Sequence, residues 1–338
     1  MQTSNTDTSK PWNALVVGCG KVGSQLNSAT TDRDVLTHAL AYIRHPGFAL
    51  TAGVDPDADN REDFSRRWGV STVYGSLDEA LALDSYDIVS LASPTSLHLA
   101  QLERLTAVDL RAIYCEKPVG GDVETARPLV RHFADRKIPV AVNFQRRWDR
   151  EMVALKSEIA NGKWGEVCSV VGRYCRGVVN NASHMLDLVS YLTDLSAHAV
   201  AVHRTLFDGV DGDPTVDATL TLSNGAPLHL IGLDGRHFAI FELELFCTSG
   251  SIAIEDFGFF VRRRKASLGA WHDHVVSLED GARVATSYGT AMLDALDEIR
   301  NWTHGKALSS DAGSAFESLA CAETLRNMAM ANQVKDRS

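Results

Sequence analysis

Ten consecutive residues constrain this chain more than any others: Ala14-Leu15-Val16-Val17 passes directly into Gly18-Cys19-Gly20-Lys21-Val22-Gly23. A short continuous apolar run suits a strand covered on both faces. Glycines at the spacing G-x-G-x-x-G suit a tight turn, a close backbone approach to a pyrophosphate, and close packing of helix on strand. A helix starting there offers N–H groups and a positive dipole end to phosphate. Gly18, Gly20, Lys21, Val22 and Gly23 are therefore candidate cofactor-binding residues. Glycine-rich turns are common, so the weight comes from the strand before the motif and the helix after it.

The same rhythm continues downstream. Apolar runs at 48–54, 87–92, 111–115 and 139–142 predict strands, and periodic stretches at 35–44, 59–68, 96–105 and 123–135 predict helices. Such alternation builds a Rossmann-type, doubly wound α/β domain on a parallel sheet. After Asn143 the pattern changes. Helices are expected at 149–161 and 183–192, with strands at 166–174, 199–207, 215–222, 227–233, 239–247 and 251–255, and helices again at 288–305 and 312–332. Asn224-Gly225 lies between two of these strands and is a hairpin turn. The expectation is a tail at 1–10, a cofactor domain at 11–145, and a C-terminal α+β domain at 146–338 with an open, mainly antiparallel sheet.

An acidic residue closing the second strand should accept hydrogen bonds from an adenosine ribose. Asp55 follows the run 48–54 and fits, although it stands 32 positions after Gly23 rather than the usual number of about 20. The surplus reads as an insertion around 27–34, and the bland alternative makes Asp55 the turn residue of Asp55-Pro56-Asp57. A carboxylate there repels a 2′-phosphate, which favours NAD over NADP. Ser93-Pro94-Thr95, with His98, follows another strand, where proline stops the chain at the ligand-binding edge of the sheet. Ser93 and Thr95 either reach the cofactor or cap the next helix. Glu116-Lys117-Pro118 also follows a strand, so Lys117 either donates to a substrate oxygen or is a surface lysine. Further on come Asn143-Phe144-Gln145-Arg146-Arg147-Trp148 and Asn180-Asn181-Ala182-Ser183-His184-Met185-Leu186-Asp187. On a helix, His184, Asp187, Leu188 and Tyr191 share a face.

Composition narrows the partners. A formal charge of −10 argues against wholesale nucleic-acid binding, and the basic run at 262–265 reads as a solvated strand end or an interface. The 6 cysteines are scattered without a C-x-x-C pair, which suits free thiols in a reducing, cytoplasmic setting. The first ten residues lack an apolar signal core, and no apolar run approaches the ~20 residues that span a bilayer. Trp271-His272-Asp273-His274 lacks further ligands at a recognisable spacing, so no metal is expected.

Taken in order, G-C-G-K-V-G, S-P-T with His98, E-K-P, N-F-Q-R-R and N-x-x-S-H-x-x-D resemble the Gfo/Idh/MocA family of oxidoreductases. The resemblance implies a nicotinamide cofactor, a sugar or cyclitol substrate (a nucleotide sugar included), and a C-terminal domain that binds substrate. It also implies that the open sheet joins subunits into a homodimer or homotetramer. The family's E-K-P lysine falls on Lys117 and its catalytic-helix histidine on His184, with Glu116 at the cofactor. Many members carry aspartate four residues before that histidine, where this chain has Asn180. Asparagine cannot take a proton, so the acid–base step passes to His184 or Lys117, while Asn180 orients the substrate or His184. Arg146 and Arg147 meet either an anionic substituent or structural carboxylates. The alternative reading is a non-catalytic sensor or scaffold that binds the same ligands.

Overall fold

The computed structural model describes residues 10–27, 33–121, 123–269 and 274–336. The chain divides into two units: residues 1–145 with 289–315, and residues 146–288 with 316–338.

The first unit holds six strands: β1 (Trp12–Val17), β2 (Phe48–Val54), β3 (Val73–Tyr74), β4 (Ile88–Leu91), β5 (Ala112–Cys115) and β6 (Val140–Val142). Their order is β3-β2-β1-β4-β5-β6 and every pairing is parallel. Ala14 to Val17 are all buried, as helices on both faces require. Those helices are α1 (His38–Arg44), α2 (Ala58–Trp68), α3 (Leu77–Leu83), α4 (Thr95–Leu105) and α5 (Val123–Asp135). The strand order reverses between β1 and β4, which opens a crevice at their carboxyl ends.

Two local expectations need correction. No long helix follows the glycine turn. A five-residue π-helical turn, Lys21–Gln25, stands there instead, and α1 begins only at His38, after Thr37 accepts from the Leu40 N–H. The insertion lies between them. The buried Asn27 side chain closes it, donating to Asp34 O at 2.9 Å and accepting from Leu36 N at 2.6 Å. The sequence reading also missed α3, although Ser76 and Glu79 form a reciprocal cap: Ser76 Oγ accepts from Glu79 N, and Glu79 Oε2 from Gly75 N.

The second unit starts with α6 (Arg150–Ala160), β7 (Val167–Tyr174), α7 (Ser183–Thr193), β8 (Ala197–Leu206), β9 (Thr215–Leu222), β10 (Pro227–Gly232), β11 (Phe241–Cys247) and β12 (Gly250–Glu255). β13 (Phe260–Leu268), β14 (Val276–Leu278) and β15 (Arg283–Ala285) extend it beyond the expected strands. The order is β14-β13-β12-β11-β7-β10-β9-β8, with β15 on β13; only β7 and β10 pair in parallel. Asn224-Gly225 turns the chain between β9 and β10, with Gly225 at φ +87°. One face of the sheet packs on α6, α7 and later helical residues such as Leu325, and β10 alternates exposed and buried residues along its length. The basic run lies inside β13, where Arg262 pairs with Glu255 and Arg263 with Glu151 and Glu158.

The boundary at 145 is crossed again near the C-terminus. Residues 289–315, expected in the second domain, belong to the first unit, including α8 (Ala291–Arg300). The reason is a set of specific partners: His45 Nε2 meets Asp297 at 2.9 Å, Arg300 donates to Gly47 O at 2.7 Å, and Ser310 Oγ donates to Val142 O at 2.6 Å. α9 (Ala312–Asp336) then runs into the second unit from residue 316.

Candidate functional site

The crevice at β1 and β4 is a cleft of about 580 Å³, lined among others by Gly18, Gly20, Lys21, Val22, Asp55, Ser93 and Pro94. Its glycines are not equivalent. Gly18 has φ +95°, and a Cβ there would sit 2.6 Å from Ser93 N. A Cβ on Gly23 would fall 1.8 Å from Gly18 O, so this glycine lets the turn fold back on itself. At Gly20 a Cβ would meet nothing within 4 Å. The protein needs the first two for its own packing and leaves open space beside the third. That cradle fits a pyrophosphate. The N–H groups of Lys21, Val22 and Gly23 precede the first bonds of the turn, which Ser24 and Gln25 donate to Gly20 O.

Asp55 is buried at the end of β2 and ties the cleft together. Oδ2 accepts from Cys19 N at 2.9 Å, while Oδ1 accepts from Asp57 N at 3.0 Å and from the Asn60 amide at 3.2 Å. A carboxylate offers about four acceptor positions, so room remains for a ribose hydroxyl. Burial, together with the Asp55 charge, pushes the Cys19 thiol up to about 12, which leaves it unreactive.

Ser93 and Thr95 do not cap α4; Ser93 Oγ donates to Gln101 instead, at 2.6 Å. His98 does not line the cleft. It is buried, with Nδ1 at 2.8 Å from Pro118 O and Nε2 at 2.9 Å from Ser93 O, so it ties the loop after β4 to the loop after β5. Lys117 is half-buried on that second loop. Beside it the structure joins residues that the sequence does not connect. Glu116 Oε1 is 3.1 Å from His38 Nε2 and 2.6 Å from the Asn143 amide nitrogen. Burial alone would raise the Glu116 carboxyl, but His38, Asn143 and Lys117 together hold it below its usual range.

In the second unit, Asn180 is exposed on a π-helical turn, Val178–Ala182, and His184 is half-buried in the first turn of α7. The start of this turn is held from the β8–β9 connection. Asp213 accepts from Val179 N at 2.8 Å and Asn180 N at 2.7 Å; Asp208 accepts from Arg176 N at 2.6 Å; Thr215 Oγ1 accepts from Gly177 N at 2.8 Å. Gly177 has φ +91°, and a Cβ there would lie 2.2 Å from Asp213 Oδ2. No pattern in the local sequence announces these three residues. Of the two roles open to Arg146 and Arg147, the structure supplies the structural one. Arg147 makes a bidentate pair with Asp187 at 2.8 and 2.9 Å, both side chains being buried. Arg146 donates to Phe257 O at 3.1 Å and lies over the Phe241 ring.

Among the described residues no cluster of His, Cys, Asp and Glu could hold a metal ion, and no helix is long and apolar enough to cross a membrane. Trp271, His272 and Asp273 lie outside the described residues.

A glycine turn on the first strand, a cleft at the reversal of strand order and a carboxylate closing β2 define a dinucleotide-binding α/β unit. Residues 12–144 match the oxidoreductase family with an NAD-binding Rossmann fold, Gfo/Idh/MocA. An inositol 2-dehydrogenase of Rhizobium meliloti is 28% identical over 152 residues, which are 45% of this chain and 42% of that protein. This chain therefore spans less than half the length of that relative. The crystal structure of myo-inositol 2-dehydrogenase from Lactobacillus plantarum shares the fold over 96% of this chain and 98% of its own, with TM-score 0.71 and 20% identity. A variant 3-ketoreductase from Actinomadura kijaniata, in complex with TDP-benzene and NADP, does so over 94% and 98%, with TM-score 0.73 and 16% identity.

Proposed function

We propose that the protein is an NAD-dependent oxidoreductase acting on a secondary alcohol of a sugar, cyclitol or nucleotide sugar. The observation that carries the cofactor half is the open cradle at Gly20 next to the buried Asp55 carboxylate. The glycine turn with Lys21 and Val22 holds pyrophosphate, and Asp55 takes the adenosine ribose and repels a 2′-phosphate. Ser93 and Pro94 line the same cleft. Bound NAD supplies the hydride acceptor. His184 is the acceptor for the hydroxyl proton of the substrate, and Lys117 is a donor to a substrate oxygen as charge develops there. Asn180, one turn before His184, orients the substrate. The named relatives support the substrate class.

NADP has one observation on its side: Arg61 lies next to Asp55 and donates to the carbonyls of Asp55 and Pro56 at 2.8 and 2.9 Å. Two lesser parts of the reading are a homodimer or homotetramer joined through the open sheet, and a cytoplasmic setting, which the free thiols support. The test incubates the purified protein with NAD or NADP and a panel of sugars, cyclitols and nucleotide sugars, following absorbance of the reduced cofactor. Reduction by at least one compound, faster with NAD, is expected. Cofactor binding without reduction by any compound would make the protein a sensor.

A further inference from the structure

Two chains of buried hydroxyl, imidazole and amide groups converge on a single carboxylate oxygen beside Lys117. In the first, Tyr42 OH is 2.7 Å from Ser90 Oγ, Ser90 Oγ is 2.9 Å from His38 Nδ1, and His38 Nε2 is 3.1 Å from Glu116 Oε1. In the second, Tyr114 OH donates to Asn143 Oδ1 at 2.6 Å, and the Asn143 amide nitrogen donates to the same Glu116 Oε1 at 2.6 Å. His38, Ser90, Tyr42 and Tyr114 are fully or almost fully buried. The Tyr114 ring also packs edge-on to His38, with centroids 4.6 Å apart.

The chemistry of the partners fixes the direction of the bonds that reach Glu116. An ionised carboxylate only accepts, so Nε2 carries a proton. His38 Nδ1 and Tyr42 OH both meet the Ser90 hydroxyl, which can donate or accept. Burial pushes the Tyr42 hydroxyl well above its usual range, which keeps it a donor. Both chains thus end in a donor to Glu116 Oε1. None of His38, Ser90, Tyr42 or Tyr114 touches the cleft lined by the glycine turn. Four separate elements supply these groups: α1, β4, β5 and the loop after β6. The group they share is the residue immediately before Lys117, and the Lys117 charge acts on that carboxylate.

We propose that His38 is a positioning residue: with Asn143 it holds Glu116 as a fixed anion, and that anion holds the Lys117 ammonium charged and in place. This inference rests on the reading of Lys117 as the donor to the substrate oxygen. Among the groups facing His38, namely Tyr42 on its own helix, Ser90, Tyr114 and Glu116, only Glu116 is charged near neutral pH.

The experiment reads Lys117 directly. Pulse labelling of amines with acetic anhydride across a pH series, quantified at Lys117 by mass spectrometry, gives the midpoint at which this amine becomes reactive. Glu116→Gln keeps the shape and removes the charge, so the midpoint should move to lower pH by about one unit or more. His38→Leu should move it the same way by less. His38→Gln, whose amide can still donate to Glu116, should restore it. In turnover, His38→Leu should lower kcat roughly 10- to 100-fold, the usual effect of a slightly misplaced group, with KM for NAD unchanged. A midpoint unchanged in both Glu116→Gln and His38→Leu overturns the proposal whatever the activity. If His38→Leu fails to fold, the near-isosteric Glu116→Gln carries the test. Labelling that shifts as expected, in a protein whose Lys117→Ala variant keeps full turnover, leaves the positioning intact and removes Lys117 from catalysis.

Discussion

In the first unit each candidate residue follows a strand by a few positions: Gly18 after β1, Asp55 after β2, Ser93 after β4 and Lys117 after β5. In the second unit Asn180 and His184 ride on a helical segment held by Asp208, Asp213 and Thr215, which lie 32 to 38 positions downstream of the groups they bind. A parallel sheet delivers loop after loop to one edge, so position there follows from topology and backbone. A mainly antiparallel sheet sets no such edge, and the second unit builds its turn from buried carboxylates and a hydroxyl. The first arrangement should break at its glycines, the second at single charges.

The largest effect should come from the second unit. His184→Ala is expected to lower turnover roughly 10²–10⁴-fold, the usual worth of a positioned general base. For alcohol oxidation the rate should rise with pH as the imidazole loses its proton. Asn180→Asp adds a carboxylate one helical turn away and should move that rising limb to higher pH. Near-normal turnover in His184→Ala would leave the second unit without a catalytic part. Next comes the Arg147–Asp187 pair. Arg147→Ala strands a buried carboxylate and should cost about 3–5 kcal/mol in denaturant unfolding of that unit.

The glycines sharpen the contrast. Gly23→Ala forces a methyl group into Gly18 O and should destabilise the first unit by about 1–3 kcal/mol, measured by the same unfolding. Gly20→Ala meets nothing and should leave stability unchanged while weakening dinucleotide binding in calorimetry. Equal stability losses in the two variants would contradict the division of labour between them. The smallest effect concerns Glu116, whose carboxyl is held below its usual range in the folded state. Its stabilisation is complete above the ordinary carboxylate range and drains away as pH falls through the lowered folded-state value. Acid titration of stability should therefore be flatter in Glu116→Gln than in wild type.

Legibility in the sequence followed the same division. β1 was readable because four buried apolar residues run straight into glycines, and the β9–β10 turn because Asn-Gly favours one hairpin geometry. β3 escaped because two residues carry no periodicity, and β13 because three consecutive arginines break its alternation, two of which find carboxylate partners only in the folded chain. The end of the first unit was misassigned, since the bonds that draw residues 289–315 back, such as Ser310 to Val142, span 168 positions. Among the candidate site residues, Gly18 and Gly20 announce themselves by spacing, and Asp55 by closing the second strand despite its unusual distance from Gly23. His38 does not: its partners Ser90 and Glu116 lie 52 and 78 positions away, and a lone histidine in a short, mostly buried helix carries no local mark. Asp213 is silent for the same reason.

The proposed preference for NAD rests on a backbone cradle and one carboxylate in the first unit. Calorimetric titration of wild type and Asp55→Ala with NAD and with NADP tests it most directly. Wild type should bind NAD about tenfold or more tighter than NADP, the worth of one good polar contact. Asp55→Ala should then lose NAD affinity and most of that preference. Tighter binding of NADP by wild type, or an unchanged preference in Asp55→Ala, would contradict it.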